Sequence, residues 1–540
     1  MSILVTGVSP LRAQVSVVFS HSGGCYEKPF ALSLSVSDNT DDQGCVIRFT
    51  LNGNLPTAAS PHYVKPIALS EKACSRSELF KIQNAPAKHW YQPDNVEHII
   101  VVRAAVFDKN GNRVSEVATN SYVIESLLGR KIKIPIVSLC ADSMDLFDFQ
   151  NGIFIPGADF NPDDPDHTGN YYRRGRSAER QVHFEYINNE EVVAQTCGLR
   201  AHGNIGRRYA QKGLSLYARN EYGKKNFKDV LPSGKDKRLV LRPFGNAWTS
   251  AGIQDYFCQQ MAAGLRFDAL ECKPVALFLN GEYWGIYFLE QKPDEKFIAK
   301  RHGFDPDSVR LVRDWAGHTD HGIDSGFVTM MRWLKTADLS DPKQYAKIAG
   351  WVDIPSFIDY VLFETFIGNR DWPANNMRCW SAQGSPWRFI FFDGDGIRTT
   401  KFTPVDNALY DGAELTWPTS SEATLLLRKL LENKDFKERL RARLKELRKE
   451  KFRWCAFSNV DVEMASAFGV CVNDVEAEIA SQSARFGYPK SVKAWKRDVR
   501  RLRRYFKRRA RRINREWKRV LKPCAAAGRA AGAASPRNHS

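Results

Sequence analysis

No run of about 18 apolar residues occurs in this 540-residue chain, so no segment reads as a membrane-spanning helix. Its eleven cysteines (Cys25, Cys45, Cys74, Cys140, Cys197, Cys258, Cys272, Cys379, Cys455, Cys471 and Cys524) include no C-x-x-C pair, which removes support for a zinc ribbon or a thioredoxin-type site. An odd cysteine count in a long chain also argues against a disulfide framework, and most of the thiols are expected to pack as small buried hydrophobes. Met1-Ser2-Ile3-Leu4-Val5 has neither a basic segment nor an apolar one of useful length, so no signal peptide is expected. No internal repeat is visible. Aromatics are not scarce: 32 Phe, 18 Tyr and 13 Trp exclude whole-chain disorder and can fill sizeable cores. At roughly 100–200 residues per domain, the length corresponds to about three units.

Charge is present in excess but unevenly. The chain carries 79 Lys+Arg against 61 Asp+Glu, a net +18. Residues 437–453 hold nine basic and three acidic groups, and residues 491–520 hold fifteen and two, so these two segments account for the whole surplus. In 491–520 the apolar residues Trp495, Val499, Leu502, Phe506, Ala510, Ile513, Trp517 and Val520 recur at steps of three or four, one stripe of a helix. That pattern reads as a helix docked on the body with its basic faces in water. The sharper alternative is an electrostatic dock for an acidic or phosphorylated substrate, or contact with an anionic surface. No nucleic-acid partner is expected, because no binding motif or base-stacking platform accompanies the charge.

Residues 14–124 read as β. Alternating runs at 15–19, 30–36, 45–51, 98–107 and 121–124 are separated by turn clusters such as Asn52-Gly53-Asn54 and Lys109-Asn110-Gly111. The spacing predicts a small antiparallel sandwich. Phe49-Thr50-Leu51-Asn52-Gly53-Asn54-Leu55-Pro56-Thr57, with Ser60-Pro61-His62-Tyr63 and Thr119-Asn120-Ser121-Tyr122, resembles the chitobiase/β-hexosaminidase C-terminal-type module, a fibronectin-III-like sandwich with no chemistry of its own.

The central stretch mixes strands and helices. Asn280-Gly281 between apolar runs 275–279 and 283–289 predicts a hairpin with φ > 0 at both central positions. Asp353-Ile354-Pro355 ahead of 356–366 predicts a capped, apolar helix. That helix leads into Gly368-Asn369-Arg370-Asp371-Trp372-Pro373-Ala374-Asn375-Asn376. An Asn five residues beyond Asp371 repeats the interval at which kinase catalytic loops set a carboxylate on the substrate hydroxyl and an amide oxygen on a metal. The apolar run 387–392, expected as a strand, ends in Asp393-Gly394-Asp395-Gly396, where a glycine-flanked carboxylate can approach a phosphate-bound metal. Taken singly, each piece also fits a turn, a salt bridge or a calcium-type loop.

Upstream, predicted strand 194–199 enters Arg200-Ala201-His202-Gly203-Asn204-Ile205-Gly206-Arg207-Arg208-Tyr209-Ala210-Gln211-Lys212, and the chain returns at 213–217. Two glycines in a strand–loop–strand let backbone N–H groups approach an anion, and Lys212 on the returning strand can reach phosphates. The same residues fit an ordinary basic hairpin. His202 is read as structural rather than as a base.

Together Gly198-Leu199-Arg200-Ala201-His202-Gly203-Asn204, Gln211-Lys212-Gly213, Phe278-Leu279-Asn280-Gly281-Glu282-Tyr283-Trp284-Gly285, Asn369-Arg370-Asp371 and Phe391-Phe392-Asp393-Gly394-Asp395 resemble the spore-coat CotH protein kinases, in family order. The resemblance runs over 131–410 and more loosely toward 515. It implies an atypical kinase-like catalytic domain at 131–420; with the sandwich at 14–124, basic helices at 421–522 and an Ala/Gly-rich tail at 523–540 expected to be disordered, the chain reads as α+β. The resemblance further implies binding of ATP with Mg²⁺ or Mn²⁺ and modification of Ser/Thr on secreted or surface proteins. By position, Asp371 would be catalytic, and Asn376, Asp393 and Asp395 would ligate metal. Lys212, with Gly203, Asn204 and Arg207, would meet the phosphates; Glu290 would lie near the adenine hinge and Tyr283 against the base, with Trp284 a further candidate there. His202, Ala210 and Ile205-Gly206 depart from the family's loop, and the helix around 249–265 offers Asp255, Gln259 and Gln260 rather than Glu to face Lys212. Two other readings stay open: adenylyl or glutamyl transfer on the same fold, and an inactive surface or carbohydrate-associated binding protein.

Overall fold

The computed structural model describes residues 15–37, 44–73, 78–189, 191–323, 325–397, 403–412, 419–453 and 463–522. The expected tail at 523–540 and Cys74, Cys455 and Cys524 lie outside them; the other eight cysteines are free thiols. No described helix is long and apolar enough to cross a membrane.

Eight short strands open the chain: β1 (Val17–Phe19), β2 (Gly24–Tyr26), β3 (Phe30–Leu32), β4 (Leu34–Val36), β5 (Val46–Thr50), β6 (Ile67–Leu69), β7 (Ile100–Phe107) and β8 (Ala118–Ile124). One sheet runs β2-β8-β7-β5, faced by the pairs β1–β4 and β3–β6. All of these pairings are antiparallel except β2 on β8, which is parallel. Strand β7 is buried at all eight positions. Ile100, Val102 and Ala104 fill the sandwich core, while Val101 on the opposite face packs with Ile136, Ala276 and Phe278 of the body. The module is therefore welded to its neighbour along a sheet face.

After α1 (Glu125–Leu128) come β9 (Ile136–Cys140), α2 (Ser143–Phe147), β10 (Arg180–Asn188), β11 (Glu191–His202), β12 (Gly213–Tyr217), a two-residue-strand hairpin β13 (Phe227–Lys228) and β14 (Lys235–Asp236), β15 (Arg238–Arg242), α3 (Gln254–Ala262), β16 (Cys272–Leu279) and β17 (Glu282–Gln291). Seven of the strands close a barrel in the order β10-β11-β12-β15-β17-β16-β9. Its interior is apolar, with Leu199, Leu216, Leu241, Leu277 and Tyr287 among the side chains that fill it. The β16–β17 turn has Asn280 at φ 49° and Gly281 at φ 86°, the backbone that Asn-Gly was expected to supply.

Residues 78–99, between β6 and β7, run along the barrel. Leu79 and Phe80 donate their backbone N–H groups to the buried Glu282 carboxylate at 2.6 and 2.8 Å, and the Asn84 side chain donates to the Ala210 carbonyl at 3.0 Å. Ile99 N–H reaches the Gly281 carbonyl at 2.8 Å.

The second half holds α4 (Glu295–His302), β18 (Val309–Val312), β19 (Thr319–His321), α5 (Ser325–Leu334), α6 (Pro342–Trp351), α7 (Ile354–Ile367), β20 (Cys379–Ala382), β21 (Arg388–Phe389), α8 (Pro404–Asn407), α9 (Ser421–Leu430), α10 (Lys434–Glu450), α11 (Glu463–Glu476), α12 (Ile479–Phe486) and α13 (Val492–Val520). Helix α7 starts as expected, with the Asp353 carboxylate accepting Ser356 N–H at 2.9 Å. The expected strand at 387–392 is mostly absent. Only Arg388–Phe389 forms a strand; Trp387 and Ile390 make isolated bridges to Val352 and Asp268, with Phe391 N–H donating to the Asp268 carbonyl at 2.7 Å. Phe389, Ile390 and Phe391 are all fully buried, so the run lacks the two-sidedness of a half-buried strand. Helix α13 buries Trp495, Val499, Leu502, Phe506, Ile513 and Trp517 in the core around α7, and leaves most of its arginines exposed.

Candidate functional site

Between the barrel and the helical half lies a cavity of about 1080 Å³. On one side, β11 runs into a loop where Gly203 takes φ 97° and residues Ile205–Arg208 form a single 3-10 turn before β12 returns. On the other, the C-terminus of α7 delivers Asp371, Asn375 and Asn376, and the turn after β21 delivers Asp393 and Asp395; all of these line the cavity.

The two carboxylate-bearing segments are tied together. Asn369 bridges Ile397 through the backbone, and the Asn376 side-chain amide donates to the Asp393 backbone carbonyl at 3.1 Å. A Cβ added to Gly396 would lie 2.9 Å from Asp371 Oδ2, so the glycine is what lets this carboxylate lie against the Asp-Gly-Asp-Gly turn. Asn376 at φ 54° and Asp393 at φ 62° both hold left-handed backbone, unusual outside glycine and easiest for Asn and Asp. Gly394 N–H donates to Asp255 Oδ1 of α3 at 2.5 Å.

Arg242, at the end of β15, stands at the centre of the acidic groups. Its guanidinium meets Asp393 Oδ1 at 2.5 Å, Asp395 Oδ2 at 2.8 Å and Asp255 Oδ2 at 3.5 Å. Asn246 adds its backbone N–H to Asp395 at 2.9 Å. Burial alone would lower the basicity of Arg242, but Asp393, Asp255 and Asp395 outweigh it and keep it charged. One guanidinium does not satisfy four acids. Burial pushes the Glu290 carboxyl well up, helped by Asp255 and opposed by Arg242. Burial and the neighbouring Asp393 raise Asp395 to about 7. Glu290 Oε2 and Asp255 Oδ2 are buried without a hydrogen-bond partner. The donor set is all oxygen and short of positive charge, which suits a hard divalent cation. Among the described residues no group of three or more His, Cys, Asp or Glu is arranged to hold a metal ion.

The loop side differs from expectation. Lys212 does not reach the cavity: its buried ammonium donates to the Asn84 carbonyl at 2.6 Å and the Tyr209 carbonyl at 2.8 Å, 4.5 Å above the Tyr171 ring. With desolvation driving its pKa well down, it is a clamp between the 78–99 segment and the loop, and a phosphate role does not carry over. Arg207 lines the cavity but spends its guanidinium on the carbonyls of Gly203, Tyr171 and Arg173, at 2.7, 3.1 and 3.1 Å. Gly203 and Asn204 line the wall; the Asn204 side chain accepts from Arg174 at 3.3 Å. His202 Nδ1 lies 2.9 Å from Ser215 Oγ, and burial drives its pKa well down, in keeping with a structural residue.

Two further expectations fail. Tyr283 is 1% exposed, edge-on to Phe278 in the core between barrel and sandwich, and Trp284 is packed into the barrel core under Arg485; neither lines the cavity. Successive β17 residues face opposite sides, and both sides of this strand are covered, so burial gave no sign of which side held the cavity. Glu290 does line the cavity, but within the acidic group around Arg242.

Sequence reasoning missed Arg242, Asn246 and Lys292. The signal for Arg242 was a lone cation closing the apolar run Leu239-Val240-Leu241 just before Pro243. Lys292 lies on the cavity wall with Nζ 3.1 Å from the Tyr217 hydroxyl, and Arg200 stacks 4.4 Å over the same ring. Burial would raise the Tyr217 phenol, yet Lys292 and Arg200 outweigh it and lower its pKa, a mark of how positive this wall is.

The cavity thus has a cationic wall and an acidic floor, with one loop carboxylate between the two halves. The CotH kinase protein family model matches residues 199–513, spanning the cavity's loop, its floor and most of the long terminal helix. The chitobiase/beta-hexosaminidase C-terminal domain model matches residues 22–77, within the sandwich. No curated protein matches the chain. Matched over more than half its length and in the segments that build this cavity, the chain belongs to the CotH kinase protein family.

Proposed function

We propose that this protein transfers the γ-phosphoryl group of ATP, with Mg²⁺ or Mn²⁺, to a Ser or Thr hydroxyl of an acceptor protein. The observation that carries the reading is the convergence of Asp371, Asn376, Asp393 and Asp395 on one cavity whose opposite wall is cationic. The acceptor oxygen forms a bond to the γ-phosphorus, the bond from that phosphorus to the ADP oxygen breaks, and the hydroxyl proton passes to the Asp371 carboxylate. Asn376, Asp393 and Asp395 would hold the divalent cation, which when bound neutralises phosphate charge. The surplus of acid around one guanidinium, with Glu290 Oε2 and Asp255 Oδ2 lacking partners beside Asp393 and Asp395, supports that fit. With Lys212 engaged elsewhere and Arg200 paired to the buried Glu179 carboxylate at 2.6 Å, Lys292 is the cavity cation proposed to meet phosphate oxygens. Catalysis of this kind rests on positioning and electrostatics more than on covalent chemistry.

The deciding experiment is incubation of the full chain and Asp371→Ala with γ-labelled ATP, Mn²⁺ and a panel of surface and secreted proteins, followed by intact-mass analysis. A gain of one phosphate with the full chain and none with the variant supports the reading. Equal labelling by both defeats it, and a nucleotide or amino-acid adduct replaces it with a different group transfer.

A further inference from the structure

The last turn of a helix leaves four backbone carbonyls without intrahelical donors. In α7 these are the carbonyls of residues 364–367, and the next residues are the loop that carries Asp371. Gly368 N–H takes the Glu364 carbonyl at 3.0 Å, the usual closure by a glycine in left-handed conformation. The other three are taken by side chains from α13, more than 130 residues away. Arg509 donates to Thr365 O at 2.7 Å and to Phe366 O at 3.0 Å, and the Tyr505 hydroxyl donates to Ile367 O at 2.8 Å. Arg509 is 4% exposed and is itself held by both oxygens of Glu516, at 2.7 and 3.0 Å. Trp517 adds an indole N–H to Thr365 Oγ1 at 3.1 Å.

We propose that Tyr505 and Arg509 are positioning residues for the reaction: by saturating the last carbonyls of α7 they fix where that helix ends, and so where Asp371 and Asn376 stand in the cavity. A guanidinium at a helix C-terminus also complements the negative end of the dipole. The fit at Tyr505 is close. A Cβ added to Gly368 would fall 2.1 Å from its hydroxyl oxygen, so the glycine at the start of the loop and the tyrosine of α13 are matched to each other. The inference rests on the phosphoryl-transfer reading for its kinetic consequence, but the mechanical link stands on the hydrogen bonds alone.

The test uses the full chain and Tyr505→Phe, which removes one hydroxyl and keeps the ring packed on Phe506. Hydrogen exchange is measured across residues 368–376 and compared with β11 and β12. Expected are exchange about tenfold faster in 368–376 alone and a turnover number about tenfold lower, the worth of one hydrogen bond, with KM for ATP within about twofold and the melting temperature nearly unchanged. Unchanged exchange in 368–376 overturns the proposal, as does a uniform rise throughout the chain with a lowered melting temperature, which marks the hydroxyl as general packing. If the full chain transfers no phosphate at all, the phosphoryl-transfer reading fails, while the exchange measurement still decides the link between α13 and the loop.

Discussion

The two walls of the cavity use charge in opposite ways. On the loop wall, Lys212 and Arg207 are turned onto backbone carbonyls, so two of the cations nearest the glycines are spent on holding shape. On the floor, Asp255, Glu290, Asp393 and Asp395 crowd around one guanidinium and remain short of compensation. A chain position therefore does not fix a role. The carboxylates stay near the cavity because a tight glycine-flanked turn and a neighbouring loop hold them there. A long lysine stem can swing to whichever acceptors the surrounding chain offers, and here residues 78–99 offer one.

The largest effect is expected on the floor. Asp393→Asn should lower phosphoryl transfer about 100- to 10,000-fold with the fold intact, measured with labelled ATP and near-native melting behaviour. Retention of more than a tenth of the activity would move the metal-holding role elsewhere. Arg242→Met should come next, costing about 3–5 kcal/mol of stability because buried carboxylates lose the guanidinium they share. Denaturant titration reads that loss, and Mn²⁺ should recover part of it if the cation shares those acids. Lys212→Met sharpens the contrast: it should cost about 1–3 kcal/mol by stranding two buried carbonyls, while leaving ATP binding by calorimetry within a few-fold. Loss of binding without loss of stability would return Lys212 to the phosphates. The last effect appears only as pH changes and concerns Glu185, whose buried carboxyl accepts from Ser121 N–H at 3.1 Å where the sandwich meets the barrel, and whose pKa burial raises from 4.5 to about 7. Below the unfolded value the carboxyl is protonated in both states and stability is full. As pH rises toward 7 the unfolded chain releases its proton first, so stability falls by at most about 1.4 kcal/mol per unit, and Glu185→Gln should flatten melting temperature over that interval.

Much of this was legible in the residues. Asn280-Gly281 named its turn, Asp353 named the start of α7, and the stripe from Trp495 to Trp517 named the buried face of α13, because each depends on local backbone preference or on a period of 3.6. The order of Asp371, Asn376 and Asp393 likewise pointed to one cavity. Direction was not legible. In β17 every residue is buried, so no alternation told Tyr283 from Glu290 as a cavity residue, and Lys212 depended on an acceptor 128 positions away. Arg242 escaped notice because its partners come from α3 and from the turn after β21, distant segments brought together only by the fold.

The path of residues 78–99 has a practical consequence. Its backbone supplies two donors to Glu282 and one of the two acceptors of Lys212, so a protein trimmed to its kinase-like half would lose two donors at a buried carboxylate and one acceptor at a buried lysine where it once had a splint. The smallest autonomous unit of this protein then begins inside the sandwich, and shuffling that module onto another kinase-like half would fail unless the splint travelled with a matching Glu and Lys.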